Sequence, residues 1–274
     1  MQEEWAAQPI NRSNNDMMFN VPWNWRDVAK ALLLIIFGLV LLSAGAGGWM
    51  IASGTSPDET MGLTATPLFL AGIGVYLIVI LAVYLFAARR TTTISTTNVI
   101  TDANVVSNGG WAYLGWRSFT PGWIWAIPLL TFVQLMGMAV VNMIFVLPFV
   151  GGDFENPQIE AITGGGTLSV TDLVLLMILI AVVAPLAEEL FFRGMLYPLM
   201  RLRWSAVPAI VVNGLIFSLV HVFPPLLPGL FFVGMVLAWV RERSGSLIPC
   251  VLLHAMQNGI VLLGIYAMAN GLGG

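Results

Sequence analysis

The chain has 274 residues, of which 58% are apolar and only 9% are charged, and its mean hydropathy is +0.88. Soluble globular domains carry about 25% charged residues, so this chain cannot cover itself with a water-compatible surface. The composition excludes a soluble enzyme, a nucleic-acid-binding protein and a disordered regulator. The single cysteine, Cys250, excludes a disulfide framework and a zinc site built on thiolates.

Seven apolar runs follow a polar N-terminal stretch, residues 1–27, which lacks the basic start and cleavage site of a signal peptide and carries interfacial tryptophans. Most runs approach the roughly 20 residues that span a hydrocarbon core. They fall at about 31–53, 67–88, 124–150, 171–199, 206–222, 226–241 and 247–269. We predict an all-α, polytopic transmembrane helical bundle of seven helices. Eight helices are the alternative, because the run 171–199 exceeds one straight span and contains Pro185.

The basic residues predict the orientation, since lysine and arginine accumulate on the cytoplasmic side of membrane proteins. With a cytosolic N-terminus, all but one of the eleven basic residues fall in inside loops or tails. The outside loops at 54–66, 151–170 and 223–225 then contain no basic residue. The exception, Arg193, lies within an apolar run.

The interiors of the first three apolar runs contain no charged or histidine residue, whereas the later runs do. An ionisable residue deep in hydrocarbon costs on the order of 2.5–3.5 kcal/mol on insertion scales, so such residues usually have a function. His221 and His254 are the only two histidines, and histidine is the side chain best suited to proton transfer near neutral pH. The candidate residues in the later runs are Glu188, Glu189, Arg193, His221, His254 and Asn258.

The spacing of these residues predicts their relative positions. Glu189 and Arg193 are four residues apart and can form an ion pair on one helical face, which by itself could be purely structural. Glu188 lies about 100° around the same helix and can point elsewhere. His254 and Asn258 share a face, and Phe217, one turn before His221, could wall a cavity.

Three motifs built from these residues resemble those of the CPBP family, which contains CAAX prenyl endopeptidases and bacteriocin-processing or bacteriocin-immunity membrane proteins. Glu188 to Gly194 resembles the EExxxR motif, Phe217 to His221 the FxxxH motif, and His254 to Asn258 the HxxxN motif. The resemblance covers about residues 171–269 and keeps the order of the motifs. We therefore divide the chain into a cytosolic tail (1–27), two N-terminal helices with a cytosolic loop (28–122), and a protease-like core (123–274).

The resemblance implies an intramembrane endopeptidase in which Glu188, with His221, activates a water molecule. His254 and Asn258 would then donate hydrogen bonds to the oxyanion, while Glu189, Arg193 and Phe217 would support the site. We favour a reaction without a metal or other cofactor. A zinc ion held by Glu188, His221 and His254 is the alternative.

The expected substrate is a membrane-associated peptide or protein, with a C-terminal lipidated segment among the candidates, and it would enter a cavity that opens to the cytosol. The expected location is a prokaryotic cell membrane, and nucleic acid is not an expected partner. A non-catalytic immunity or scaffold protein of the same family is the second interpretation. A proton-coupled transporter is less favoured, because transporters usually show repeats and interrupted helices in both halves.

Overall fold

A computed structural model of the chain describes residue 19, residues 21–55, residue 64, and residues 66–90, 110–150 and 157–272. The predicted N-terminal tail lies outside the described residues, except for residue 19 and residues 21–27. The same holds for residues 91–109 of the predicted cytosolic loop and for residues 151–156 of a predicted outside loop.

Nine α-helices and no strand occur within the described ranges. They are α1 (Trp25–Ser53), α2 (Thr66–Val83, continued by a π-helical segment, Tyr84–Ala88), α3 (Gly110–Leu114), α4 (Gly122–Phe145, followed by Leu147–Val150), α5 (Pro157–Thr163), α6 (Val170–Arg201), α7 (Ala206–Leu219), α8 (Leu227–Ser244, preceded by a 3₁₀ turn, Pro224–Leu226) and α9 (Ile248–Ala269). Six of them, α1, α2, α4, α6, α8 and α9, are long and apolar enough to cross a membrane, and α7 is apolar but shorter. The predicted class, an all-α polytopic bundle with one helix for each of seven apolar runs, is confirmed.

The helix ends that carry lysine and arginine lie together at one end of the bundle. Asp27, in the first turn of α1, forms an ion pair with Arg90, which follows α2. Arg201 at the end of α6 donates its Nε–H to Glu242 of α8 at 2.9 Å. The Ser246 hydroxyl, between α8 and α9, donates to the Arg117 carbonyl at 2.7 Å. We call this the basic end, and the opposite end, which contains Ser53, Phe145, α5, Val170 and Ala269, the distal end.

Helix α6 crosses the bundle without a break. The apolar run 171–199 therefore forms one helix, and no eighth spanning helix arises from it within the described residues. Two π-helical segments, Met177–Val183 and Leu190–Leu196, flank a short α-helical stretch, Ala184–Glu189. Pro185 lies at the start of that stretch, where the π-helical register before it accommodates the missing N–H without ending the helix. α6 packs between α2 and α9.

Helix α7 is shorter than its apolar run predicts. The run 206–222 indicates a helix through His221, but α7 ends at Leu219 after 14 residues, about 21 Å. Val222 has φ +53°, in the left-handed region, and Pro224 begins the next turn. The placement of His221 inside a helix is therefore wrong: it lies in the turn that reverses the chain from α7 to α8.

Candidate active site

The predicted residues from three chain segments line one cavity of about 270 Å³. Glu188 comes from α6, Phe217 from α7, His221 from the turn after α7, and His254 and Asn258 from α9. Phe217 packs against both imidazoles, with ring centroids 4.8 Å from His221 and 5.7 Å from His254. The sequence-distant motifs thus meet around a common space in the middle of the bundle.

A buried charged network lies beneath this cavity. The Glu189 Oε1 atom accepts hydrogen bonds from Arg193 Nη1 at 2.8 Å and from His254 Nδ1 at 2.9 Å. Arg193 also donates to the Gly234 carbonyl at 2.9 Å, and its guanidinium lies 4.5 Å from the centre of the Phe217 ring. The side chains of Glu189 and Arg193 are completely buried. The pair therefore connects α6, α8 and α9 and fixes the His254 ring.

Glu188 differs from its neighbour in its surroundings. Its side chain is 18% exposed and faces the cavity, with one carboxylate oxygen 3.9 Å from His254 Nε2. The turn of about 100° between consecutive helical residues separates the two carboxylates, as the spacing predicts. The hydroxyl of Tyr76, on α2, hydrogen bonds to the Glu188 carboxylate. Glu188 is thus held in place but remains accessible to a small molecule.

The hydrogen-bond partners determine which imidazole nitrogens carry hydrogen. His221 Nδ1 lies 2.7 Å from the Phe217 carbonyl oxygen, and His254 Nδ1 lies against the Glu189 carboxylate. Carbonyl and carboxylate oxygens accept hydrogen bonds, so both Nδ1 atoms are donors. In neutral His221, which lines the cavity, Nε2 is then an acceptor.

Asn258 is oriented by the irregular backbone of α6. Its Nδ2 donates to the Ile180 carbonyl at 3.0 Å, within the π-helical segment Met177–Val183. An amide NH₂ group has two hydrogens, so this contact leaves one for a ligand. The π-helical segment thus positions a donor that the HxxxN spacing alone cannot orient.

Three further polar side chains of the cavity, Tyr76, Gln158 and Gln257, were missed by the sequence reasoning. Tyr76 lies in the apolar run 67–88, and its only signal was a hydroxyl in an otherwise apolar segment. Gln257 lines the cavity beside Asn258, is 4% exposed, and its Oε1 has no hydrogen-bond partner in the described part of the chain. Tyr76 and Gln158 lie outside the three motifs, and Gln257 occupies a variable position of the HxxxN motif.

The alternative zinc site has Glu188, His221 and His254 as its candidate ligands. No three His, Cys, Asp or Glu side chains among the described residues are grouped so that they could hold one metal ion. His254 directs Nδ1 to Glu189, and His221 directs Nδ1 to a backbone carbonyl. Zinc-ligating histidines usually make the same contacts with the ring nitrogen that does not bind the metal, so these two contacts are compatible with either mechanism.

The cavity does not extend towards the basic end, as a cytosolic opening would require. From His254 it continues along α9 past Val261 to Ile265 and reaches Ala161 of α5, all towards the distal end. The expectation of an opening to the cytosol therefore disagrees with the lining residues. The physical reason is that close-packed residues fill the basic half of the bundle, among them Met195, Leu237 and Leu253, each completely buried.

Comparison with known proteins identifies one family. Residues 170–260 match the model of the Rce1-like type II CAAX prenyl endopeptidases, and this segment contains all three motifs. Neither curated proteins nor solved structures gave a significant match to the chain. Six helices are apolar and long enough to span a bilayer, which together with this family indicates an integral, multi-pass membrane protein. The match of residues 170–260 therefore supports the resemblance to type II CAAX prenyl endopeptidases that the three motifs indicate.

Proposed function

We propose that the protein hydrolyses a peptide bond of a membrane-associated substrate with a water molecule activated by Glu188 and His221, without a metal ion. The observation that carries the proposal is one cavity lined by Glu188, His221, His254 and Asn258, above a buried Glu189–Arg193 pair. A prokaryotic cell membrane is the proposed location.

Two hydrogen-bond acceptors can hold the attacking water. The Glu188 carboxylate accepts one hydrogen of the water, and His221 Nε2 accepts the other, since its Nδ1 already donates to Phe217. A water held in this way directs an oxygen lone pair away from both groups and towards the substrate carbonyl. Glu188 then removes a proton as the oxygen–carbon bond forms, which is general-base catalysis by a group within hydrogen-bond reach.

Two donors can stabilise the charge that develops on the carbonyl oxygen. Asn258 contributes the Nδ2 hydrogen that does not bind Ile180. His254 contributes Nε2–H in its doubly protonated form, for which Glu189 at Nδ1 is the counter-ion. When the carbon–nitrogen bond breaks, the proton on Glu188 passes to the leaving amine, so that the carboxylate is restored.

Glu189 and Arg193 act through His254 rather than on the substrate. Glu189 fixes the ring orientation of His254 and stabilises its positive charge, the role that a buried carboxylate has beside a catalytic histidine. Arg193 balances the charge of Glu189 in a site that excludes water, and its stacking on Phe217 holds the aromatic wall of the cavity.

The test is peptide cleavage by the purified protein in proteoliposomes, with variants at the cavity. The substrate set contains fluorescence-quenched peptides with apolar flanks and a CAAX peptide with and without its prenyl group, so that it also measures a requirement for lipidation. Asn258→Ala is expected to lower the rate about 10²–10³-fold, the usual cost of one oxyanion donor. Glu188→Gln should abolish cleavage while melting like the unsubstituted protein.

Asp172→Asn is a matched control, since it neutralises a carboxylate that caps the start of the same helix, away from the cavity. It should cleave like the unsubstituted protein. Undiminished turnover by Glu188→Gln would refute the proposed mechanism.

A further inference from the structure

We infer that substrate reaches Glu188 from the distal, extracytoplasmic half of the membrane, and that it is a peptide segment with apolar side chains next to the bond to be cleaved. The peptide part of this inference rests on the proposed function. The direction of access rests on the shape of the bundle and on the distribution of its charges.

The cavity has the catalytic residues as its floor at the basic side. On α6 the lining residue nearest the basic end is Glu188, on α8 it is Val233, and on α9 it is His254. The cavity continues from His254 to Ile265, which is eleven residues or about 17 Å along α9. Ala269, at the distal end of α9, is only four residues further.

The basic half of the bundle is closed. One turn below His254 lies Cys250, and one turn below Val233 lies Leu237, both completely buried. Phe192, one turn below Glu188, is 6% exposed, and Arg193 fills the space between α6 and α8. A peptide could not pass this layer without separating close-packed helices.

The distal half is less completely filled: Ile162, Leu262 and Ile265 are buried there, but other lining residues are exposed. Ala161 on α5 and Val261 on α9 both line the cavity and are exposed. The walls between them and Glu188 are mostly apolar, with Met138, Ile180 and Leu262 as examples. Apolar walls favour a segment that brings apolar side chains, since each buried CH₂ contributes about 0.8 kcal/mol.

The charges assign the distal half to the extracytoplasmic side. Every lysine and arginine in the loops and helix ends that the structure describes lies at the basic end, and the sequence of the distal loops contains none. Positive residues mark the cytoplasmic side of short loops. A peptide presented from outside the cell or from the outer leaflet would therefore meet Glu188 directly.

Accessibility of single cysteines to a membrane-impermeant sulfonated maleimide tests the direction without requiring catalysis. Native Cys250 is buried and provides the unlabelled background. Glu188→Cys probes the cavity floor and Val261→Cys the cavity wall one turn beyond Asn258, so that one probe remains if the other fails to fold. Arg243→Cys, exposed at the basic end, reports orientation and is the matched control.

In right-side-out vesicles we expect labelling of Glu188→Cys and Val261→Cys, and in inside-out vesicles labelling of Arg243→Cys only. Labelling of the cavity cysteines from the side that labels Arg243→Cys, or from neither side, would overturn the inference. Absence of peptide cleavage by the unsubstituted protein would instead refute the proposed function and leave the labelling result intact.

Discussion

Replacing Glu189 by glutamine should destabilise the protein strongly, because it leaves the buried Arg193 guanidinium without a counter-ion. Both side chains are completely buried, and Glu189 Oε1 lies 2.8 Å from Arg193 Nη1. The same oxygen is the acceptor for His254 Nδ1 at 2.9 Å. Removal of one partner of a buried ion pair costs about 3–5 kcal/mol. With a shift of about 2–4 °C per kcal/mol for chains of this size, the melting temperature should fall by about 10 °C.

The assay is thermal unfolding in detergent micelles, followed by circular dichroism, with two comparisons. Glu160→Gln makes the same chemical change at an exposed carboxylate of α5 and should melt within about 1 °C of the unsubstituted protein, as surface substitutions usually do. Glu189→Gln combined with Arg193→Met removes the unpaired charge and should recover part of the lost stability. Equal melting of Glu189→Gln and the unsubstituted protein, or no recovery in the double variant, would refute the reasoning.

Three other outcomes are expected. Tyr76→Phe removes a hydrogen bond to a charged carboxylate, which is worth about 1.5–3 kcal/mol, and should slow cleavage about tenfold to hundredfold. The control is Tyr84→Phe, at a residue that is 44% exposed on the same helix, and this variant should cleave normally. Equal cleavage rates of the two variants would exclude a role for Tyr76. Gly234→Ala places a Cβ 2.8 Å from the Gly214 Cα and should lower the stability measured by thermal unfolding by about 1–3 kcal/mol. Gly264→Ala, with open space around the new Cβ, should not destabilise the protein. If Gly264→Ala were the less stable variant, the close approach of α7 and α8 would be contradicted. A zinc chelator should leave peptide cleavage unchanged while inhibiting a zinc peptidase assayed beside it, and loss of cleavage restored by added zinc would favour the metal mechanism.

Part of the candidate site could be derived from sequence because it depends on local helical spacing. Residues four apart share a helical face, so the Glu189–Arg193 pair and the separate direction of Glu188 follow from the periodicity of α6 alone. His221 shows where this reasoning fails. An apolar run does not show where its helix ends, and the two residues between Leu219 and Val222 leave the helix for a turn.

The chain sequence by itself determined the membrane class, the all-α architecture and the residues that carry polar chemistry, because hydrocarbon selects strongly against unpaired polar groups and leaves a clear compositional signal. Only the tertiary structure decided which partners those residues have. Glu189 with His254, Tyr76 with Glu188, and Asn258 with Ile180 join atoms at least 65 positions apart in the chain. The direction in which the cavity opens was likewise set by packing. It depends on which half of the bundle is filled by large side chains, and this property has no local pattern in the sequence.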